Sequence, residues 1–310
     1  MKTTTRRQFI TTLAGSTATL AFARTAAGAD VIRVGLIVPG GHFATAAVTS
    51  GALLGQSEAE WTAKLMKRGF QLSLAEVSGV AEAVAEAERM RRSGIDVIAG
   101  GVSAEFCDAL ADAIPASFLE IRDRREVRVD DRKRRKHLRI TPSHADYARA
   151  LFREMKQEGL SSAAFVDTAD QTAMRIAREE GVREVSREKA HFIYTDQPSE
   201  DHRRLRAGVS LPLSGKTAAP LAWHSDLYRY GAGEINERYV DATGAEMTES
   251  SWFGWVAMKL VLETALRHQR LADAKIDGHK GVPLTFRNGV LQQPLYVALH
   301  RGDRMKVLNA

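Results

Sequence analysis

The chain has 310 residues, 44 Lys+Arg against 38 Asp+Glu, a formal net charge of +6 and 44% hydrophobic residues. Its single cysteine, Cys107, excludes an intrachain disulfide scaffold and, without any CxxC or Cys/His cluster, a structural zinc site; the composition excludes low-complexity disorder and collagen. At roughly 150 residues per domain, the length fits two lobes or one large domain, either able to bury a core.

Residues Met1 to Phe9 carry Lys2, Arg6 and Arg7 and no acid, and a weakly apolar run from Ile10 to Ala23 follows. This is the layout of a signal peptide. The run is shorter than the roughly 20 apolar residues of a spanning helix. Arg6-Arg7 followed by Gln8-Phe9-Ile10 resembles a twin-arginine export signal, and Ala27-Gly28-Ala29 offers a small-residue cleavage site. Residues 1–29 are therefore expected to be a removed leader, with a mature chain free in the periplasm from Asp30. Losing Lys2, Arg6, Arg7 and Arg24 lowers the net charge from +6 to +2. Much of the remaining basicity lies between Arg122 and Arg139, which holds ten Lys/Arg against four Asp/Glu. One such tract without interleaved aromatic residues reads as a solvated charged connection, not as a nucleic-acid surface.

From Asp30 onward, strand-like apolar runs alternate with helical patterns, the arrangement that builds parallel sheets covered by helices. Val31 to Val38 reads as a buried strand, followed by the turn Pro39-Gly40-Gly41 and an Ala-rich helix ending near Arg68. Phe70 to Val77 is a second strand. Gly79 opens a helix with Val80, Val84 and Ala87 on its dry side and Glu82, Glu86 and Arg89 on its wet side. Ile95 to Ala99 is a third strand, Ser103 to Ala113 a helix, and Ala116 to Ile121 a fourth strand. No dinucleotide fingerprint accompanies this Rossmann-like block.

Beyond the charged tract, Thr141-Pro142-Ser143 supplies a break and an N-cap for a helix from His144 to Gln157 that stops at Gly159. A second block follows: a strand at Ala163 to Val166, a helix from Ala169 to Glu180 and a strand at Ala190 to Thr195. Gly208, Pro212, Gly215 and Pro220 mark the stretch from Pro198 to Pro220 as a loop-rich connection. Asp226 to Ala242 and Thr248 to His268 read as helices, with Trp252 and Trp255 of the second as core residues. Pro283 to Leu308 reads as short strands with turns at Asn288-Gly289 and Arg301-Gly302-Asp303.

This ordered set of segments resembles the type I periplasmic solute-binding proteins, near the branched-chain amino acid and amide receptors. The resemblance rests on VIRVGLIVPGG, IDVIAGGVSAEFCDALADAI, LRITPSHADYARALFREMKQEGLSSAAFVDT, LYRYGAGEINERYVDATGAEMTESSWFGWVAMKLVLETAL and GVPLTFRNGVLQQPLYVALHRGDRM, which span most of the chain after the leader. It implies an α/β fold of two Rossmann-like lobes joined by a multi-strand hinge. Residues 30–141 plus 225–282 would form lobe 1, and residues 142–224 plus 283–310 lobe 2. The crossings are expected near Thr141, His224 and Pro283. The family usually has a further strand and helix pair where this chain has the connection from Pro198 to Pro220, so a shortened second lobe is expected and an amino acid ligand is not carried over. WHSDLYRYGAGEIN and FRNGVLQQP also look similar to the subgroup linked with PQQ-dependent alcohol dehydrogenase systems.

In open α/β sheets ligands gather beyond the carboxyl ends of the strands. The turn after the first strand there offers His42 as a polar contact and Phe43 as a flat apolar one, though a plain surface turn is the other reading of His42. After the third strand, Gly100-Gly101-Val102-Ser103-Ala104-Glu105 leads into a helix. Ser103 as N-cap, with free N–H groups at Ala104 and Glu105, makes a carboxylate cradle or a plain cap. The resemblance implies a ligand carboxylate in this loop and a second contact loop at Asp167, Thr168 and Gln171, with Tyr194 as a weaker candidate. Arg122 reads as part of the charged tract.

No G-x-S-x-G elbow, GxxxxGK[ST] loop or H-E-x-x-H occurs, so the chain is read as a non-enzyme without cofactor or metal. Two functions stay open: capture of a small polar solute for an inner-membrane ABC permease, by a monomer, or an accessory or sensor role beside a quinoprotein dehydrogenase.

Overall fold

The structure is a computed structural model that describes residues 30–116, 118–123, 137–166, 171–195, 208–211, 216–301 and 304–308. The chain divides into a segment Met1–Asp30 and a compact unit Val31–Ala310, whose fold is described here. The expected leader, residues 1–29, lies outside the described residues. Among the described residues no helix is long and apolar enough to cross a membrane.

The unit is built on two sheets. In the first, β1 (Val31–Pro39), β2 (Gly69–Val77), β3 (Val97–Val102), β4 (Phe118–Arg122) and β5 (Leu138–Arg139) run parallel in the order β2-β1-β3-β4-β5. β1 lies between two neighbours and under helices on both faces, which is why VIRVGLIVP is almost continuously apolar. Interleaved with these strands are α1 (Thr45–Leu65), α2 (Val80–Arg92) and α3 (Ala104–Ala113). The second sheet carries β6 (Ser162–Phe165), β7 (Arg183–Glu184) and β8 (Phe192–Thr195), which pair parallel and pack with α4 (His144–Gln157) and α5 (Gln171–Glu179). The chain then returns to α6 (Ala232–Thr243) and α7 (Glu249–Leu266), which join the core of the first sheet.

The structure departs from the sequence reading in two places. The stretch expected as a loop-rich connection contains β9 (Gly208–Leu211) and β10 (Lys216–Leu221), which extend the second sheet antiparallel from β8. Short segments bounded by Gly and Pro carry too few residues for a period-2 signal. The third passage between the sheets is also not at Pro283. That residue opens β12 (Pro283–Arg287), which lies between β11 (Lys275–Asp277) and β13 (Val290–Gln292) at the far edge of the first sheet, with β13 parallel to β5. The passage is at 293–295. Only β14 (Tyr296–Arg301) and β15 (Arg304–Leu308) belong to the second sheet. The second sheet is therefore mixed, with its antiparallel half supplied by β9, β10, β14 and β15.

α7 is buried on nearly every side because it lies between α1 and the first sheet. Glycines allow that closeness: a Cβ on Gly51 would run into the Ser251 carbonyl, and one on Gly254 into the Val48 carbonyl. A capping box between Thr248 and Ser251 starts α7, and another between Ser143 and Asp146 starts α4.

Candidate functional site

The carboxyl ends of β1, β3 and β4 lie side by side, since Ile37 pairs with Gly100 and Val102 with Arg122. Each end feeds a turn that lands on the same rim of the sheet. At β1 the turn is tied down by the Gly40 N–H donating to Val77 O at 2.7 Å and the Thr45 hydroxyl donating to Pro39 O at 2.6 Å. His42 is half-buried, its Nδ1 accepting from the Ala44 N–H at 3.2 Å. Its Nε2 is buried and has no hydrogen-bond partner among the described residues. Phe43 stands 56% exposed, with its ring 4.3 Å from the imidazole.

At β3 the backbone turns through three successive positive φ angles, Gly100 at 124°, Gly101 at 92° and Val102 at 58°. Gly100 lies against the Ile37 carbonyl, where no Cβ fits. Val102 is a β-branched residue in left-handed conformation, a strained state. Its carbonyl accepts from the Asp123 N–H at 2.7 Å, and its side chain is fully buried. Ser103 caps α3, its hydroxyl accepting from the Phe106 N–H at 3.4 Å. Ala104 is buried and Glu105 exposed; as first-turn groups their N–H donors have no intrahelical acceptor. His42, Phe43, Val102, Ser103, Ala104 and Glu105 thus come together along one rim. Asp123, concealed in the sequence by the charged tract, joins them from the end of β4.

At the end of β4 lies a charge network centred on buried Arg122 and Glu120, with Asp108 exposed. The Arg122 guanidinium donates to Glu120 Oε1 at 2.9 Å and to Asp108 Oδ1 at 2.5 Å, and His137 Nε2 lies 2.5 Å from Glu120 Oε2. Burial opposes the arginine's charge, but Glu120 and Asp108 outweigh it and raise its pKa. Arg122 is therefore committed to ion pairs with Glu120 and Asp108. The Arg122 N–H donates to Thr141 Oγ1 at 3.0 Å, and the Thr141 hydroxyl donates to Arg122 O at 2.7 Å, fastening β4 to the first passage between the sheets. Burial pushes the Cys107 thiol well up and disfavours its thiolate.

On the second sheet the expected contacts divide. Asp167 and Thr168 lie outside the described residues, and Gln171 is exposed at the start of α5. Tyr194 is 1% exposed, its ring 5.4 Å from Phe165 and 5.6 Å from Phe152. It is a core residue here, because alternation along β8 turns it toward α4. Trp252 and Trp255 are buried, as expected. A cavity of about 530 Å³ lies away from the rim, between α4 and residues 291–295. No group of His, Cys, Asp and Glu fit to hold a metal occurs among the described residues.

The chain superposes on solved structures over most of its length. A leucine-, isoleucine-, valine-, threonine- and alanine-binding protein from Brucella ovis matches with a TM-score of 0.66 at 10% identity over 87% of this chain and 90% of that one. The fold is that of the type I periplasmic binding proteins. An ABC transporter substrate-binding protein from Desulfitobacterium hafniense in complex with Leu shares this fold, with a TM-score of 0.63 at 14% identity over 90% of this chain and 100% of that one. So does an ABC transporter solute-binding protein from R. palustris in complex with benzoate, with a TM-score of 0.58 at 14% identity over 91% and 96%. No family model matches the sequence, and no curated protein matches it. At such identities the periplasmic-binding fold is common to these chains while their site residues are each chain's own.

Proposed function

We propose that this protein captures a small carboxylate-bearing solute between two lobes and presents it to an inner-membrane ABC permease from the periplasm. The observation that carries the reading is the rim on the first sheet, which carries a Ser103-capped helix start, an imidazole Nε2 without a partner among the described residues and an exposed Phe43 ring. First-turn N–H groups and the helix dipole favour an anion, and Phe43 favours a flat or apolar body attached to it. Leucine and benzoate, bound in two proteins of the same fold, both fit that description. In this reading lobe 1 comprises the first sheet with α1, α2, α3, α6 and α7, and lobe 2 the second sheet with α4 and α5. Asp167, Thr168 and Gln171 would meet the solute from lobe 2. A solute touching both lobes stabilises their closed arrangement because only that arrangement offers both sets of contacts.

The test is a thermal-shift and calorimetric screen of the chain from Asp30 against aliphatic and aromatic carboxylates, amino acids and their amides. A stabilising carboxylate is expected, with the effect abolished by Ser103→Trp while the circular dichroism spectrum is unchanged. Equal affinity in that variant would move the site away from the rim; turnover of the bound compound would replace capture with catalysis.

A further inference from the structure

Lys280 follows β11 and is 1% exposed. Its Nζ donates to Gln293 Oε1 at 2.7 Å and lies 4.6 Å above the Trp252 ring and 5.7 Å from the Tyr296 ring. These neighbours connect all three passages between the sheets. Gln293, on the third passage, donates through Nε2 to Ile140 O on the first at 2.9 Å. The Tyr296 hydroxyl donates to the Lys280 carbonyl at 3.1 Å. Trp223, on the second passage, stacks on Trp252 with centroids 5.7 Å apart and planes 11° off parallel. Gln293, the amine's hydrogen-bond partner, also lines the cavity of about 530 Å³.

The amine has one oxygen partner among the described residues. An ammonium has three donors; one meets Gln293 and the others have only the Trp252 and Tyr296 ring faces, whose cation–π attraction offsets part of the hydration lost. The charged groups around it are few. Glu249 on α7 favours the ammonium, but its carboxylate already accepts from the Tyr147 hydroxyl at 2.5 Å and the Ala222 N–H at 2.6 Å. Tyr296, whose phenol burial pushes up, stays neutral, and the neighbouring His279 turns its ring toward Trp255. Burial outweighs Glu249 and holds the lysine well below its ordinary value.

We propose that Lys280 is a proton-linked hinge residue: the packed passages keep its amine dry, and their separation lets it take up a proton, so acidification favours the separated arrangement. The proposal rests on the two-lobed reading above and adds a regulator to it. Separation shifts Gln293 and Tyr296, on the 293–296 stretch, relative to Lys280 on the first sheet's side, and admits water from the neighbouring cavity. Protonation then opposes repacking, because an ammonium without its water would have to return to the aromatic enclosure. The receptor would hold its solute more weakly as pH falls.

The experiment is small-angle scattering of the solute-free chain from about pH 9 to about pH 6, with the Nζ resonance of Lys280 followed in ¹⁵N-lysine-labelled protein. The wild type is expected to expand as pH falls, with the midpoint of the Nζ titration. Lys280→Met is expected to keep one radius of gyration throughout, and Gln293→Glu, which sets a carboxylate against the amine and lets the packed arrangement hold an ammonium, to raise the Nζ midpoint while weakening the expansion. An unchanging wild-type radius, an equal response in the Met variant, or an ammonium resonance at every pH would each overturn the proposal. The receptor reading fails on a separate result, the absence of any stabilising solute in the screen.

Discussion

At the scale of single residues, the candidate site depends on backbone that only certain residues tolerate. Gly100 has a φ of 124° and presses on the Ile37 carbonyl, so Gly100→Ala meets both a forbidden backbone region and a backbone clash. The variant should lose at least about 2 kcal/mol, read as a lower denaturant midpoint at unchanged slope. Lys280 makes the opposite kind of prediction. Its folded-state pKa is depressed, so the unfolded chain binds more protons between that value and the ordinary lysine range near 10.4. Its contribution to stability is greatest above the unfolded pKa and is lost as pH falls through the folded one. Lys280→Met removes that loss; the variant should be the more stable protein near neutrality, and its advantage should shrink toward alkaline pH. Thermal melts of both proteins across a pH series check the sign. Gly100 was read only as part of the loop into the Ser103 helix, and nothing in the sequence singles out Lys280, because burial of a lysine depends on contacts with Trp252, Gln293 and Tyr296 that are distant in sequence or lie in another element.

At the scale of elements, legibility follows burial and length. β1, α2, α3 and α4 were plain in the sequence because each combines a sustained period with a turn or cap, and α4 runs from His144 to Gln157 as its N-cap Ser143 and stop at Gly159 predict. β5, β7 and β11 are two or three residues long, too short for any period to register, and β9 and β10 are interrupted by turn-forming residues. α7 was visible as a helix, but its burial on nearly all faces was not, since the sequence does not show that α1 crosses it closely. The crossing itself is testable. Gly254 allows α7 to approach the Val48 carbonyl, so Gly254→Val must separate two helices that share the first core. A loss of more than about 2 kcal/mol is expected, whereas Thr248→Ala, which removes only the cap, should cost about 1 kcal/mol. Chemical denaturation of the two variants side by side distinguishes an interior defect from an end defect.

At the scale of the molecule, the order of strands and helices after Asp30 carried the resemblance to periplasmic receptors, and the fold agrees with it over nearly the whole chain. The rim of the candidate site was also readable, because it lies where parallel strands end and helices begin. What was not readable is how the two sheets are held together. The first core does not stop at the first sheet: it includes Leu221 at the end of β10, Ala222 and Trp223 of the second passage, Tyr296 at the start of β14, and Tyr147 from α4. Glu249 clasps this junction, accepting from Tyr147 and from the Ala222 N–H. A shared core of this kind couples the stability of the two sheets, so calorimetry of the chain from Asp30 should give one endotherm, with the calorimetric and van't Hoff enthalpies in agreement. Tyr147→Phe keeps the ring in the core and removes one donor from the carboxylate, which should lower that single transition by a charged hydrogen bond, about 1.5–3 kcal/mol. Two resolved endotherms in the wild type would mean that the sheets melt as separate domains and that the clasp carries no coupling. A variant that splits one endotherm into two would show instead that the clasp supplies most of the coupling, because every apolar contact at the junction is left in place.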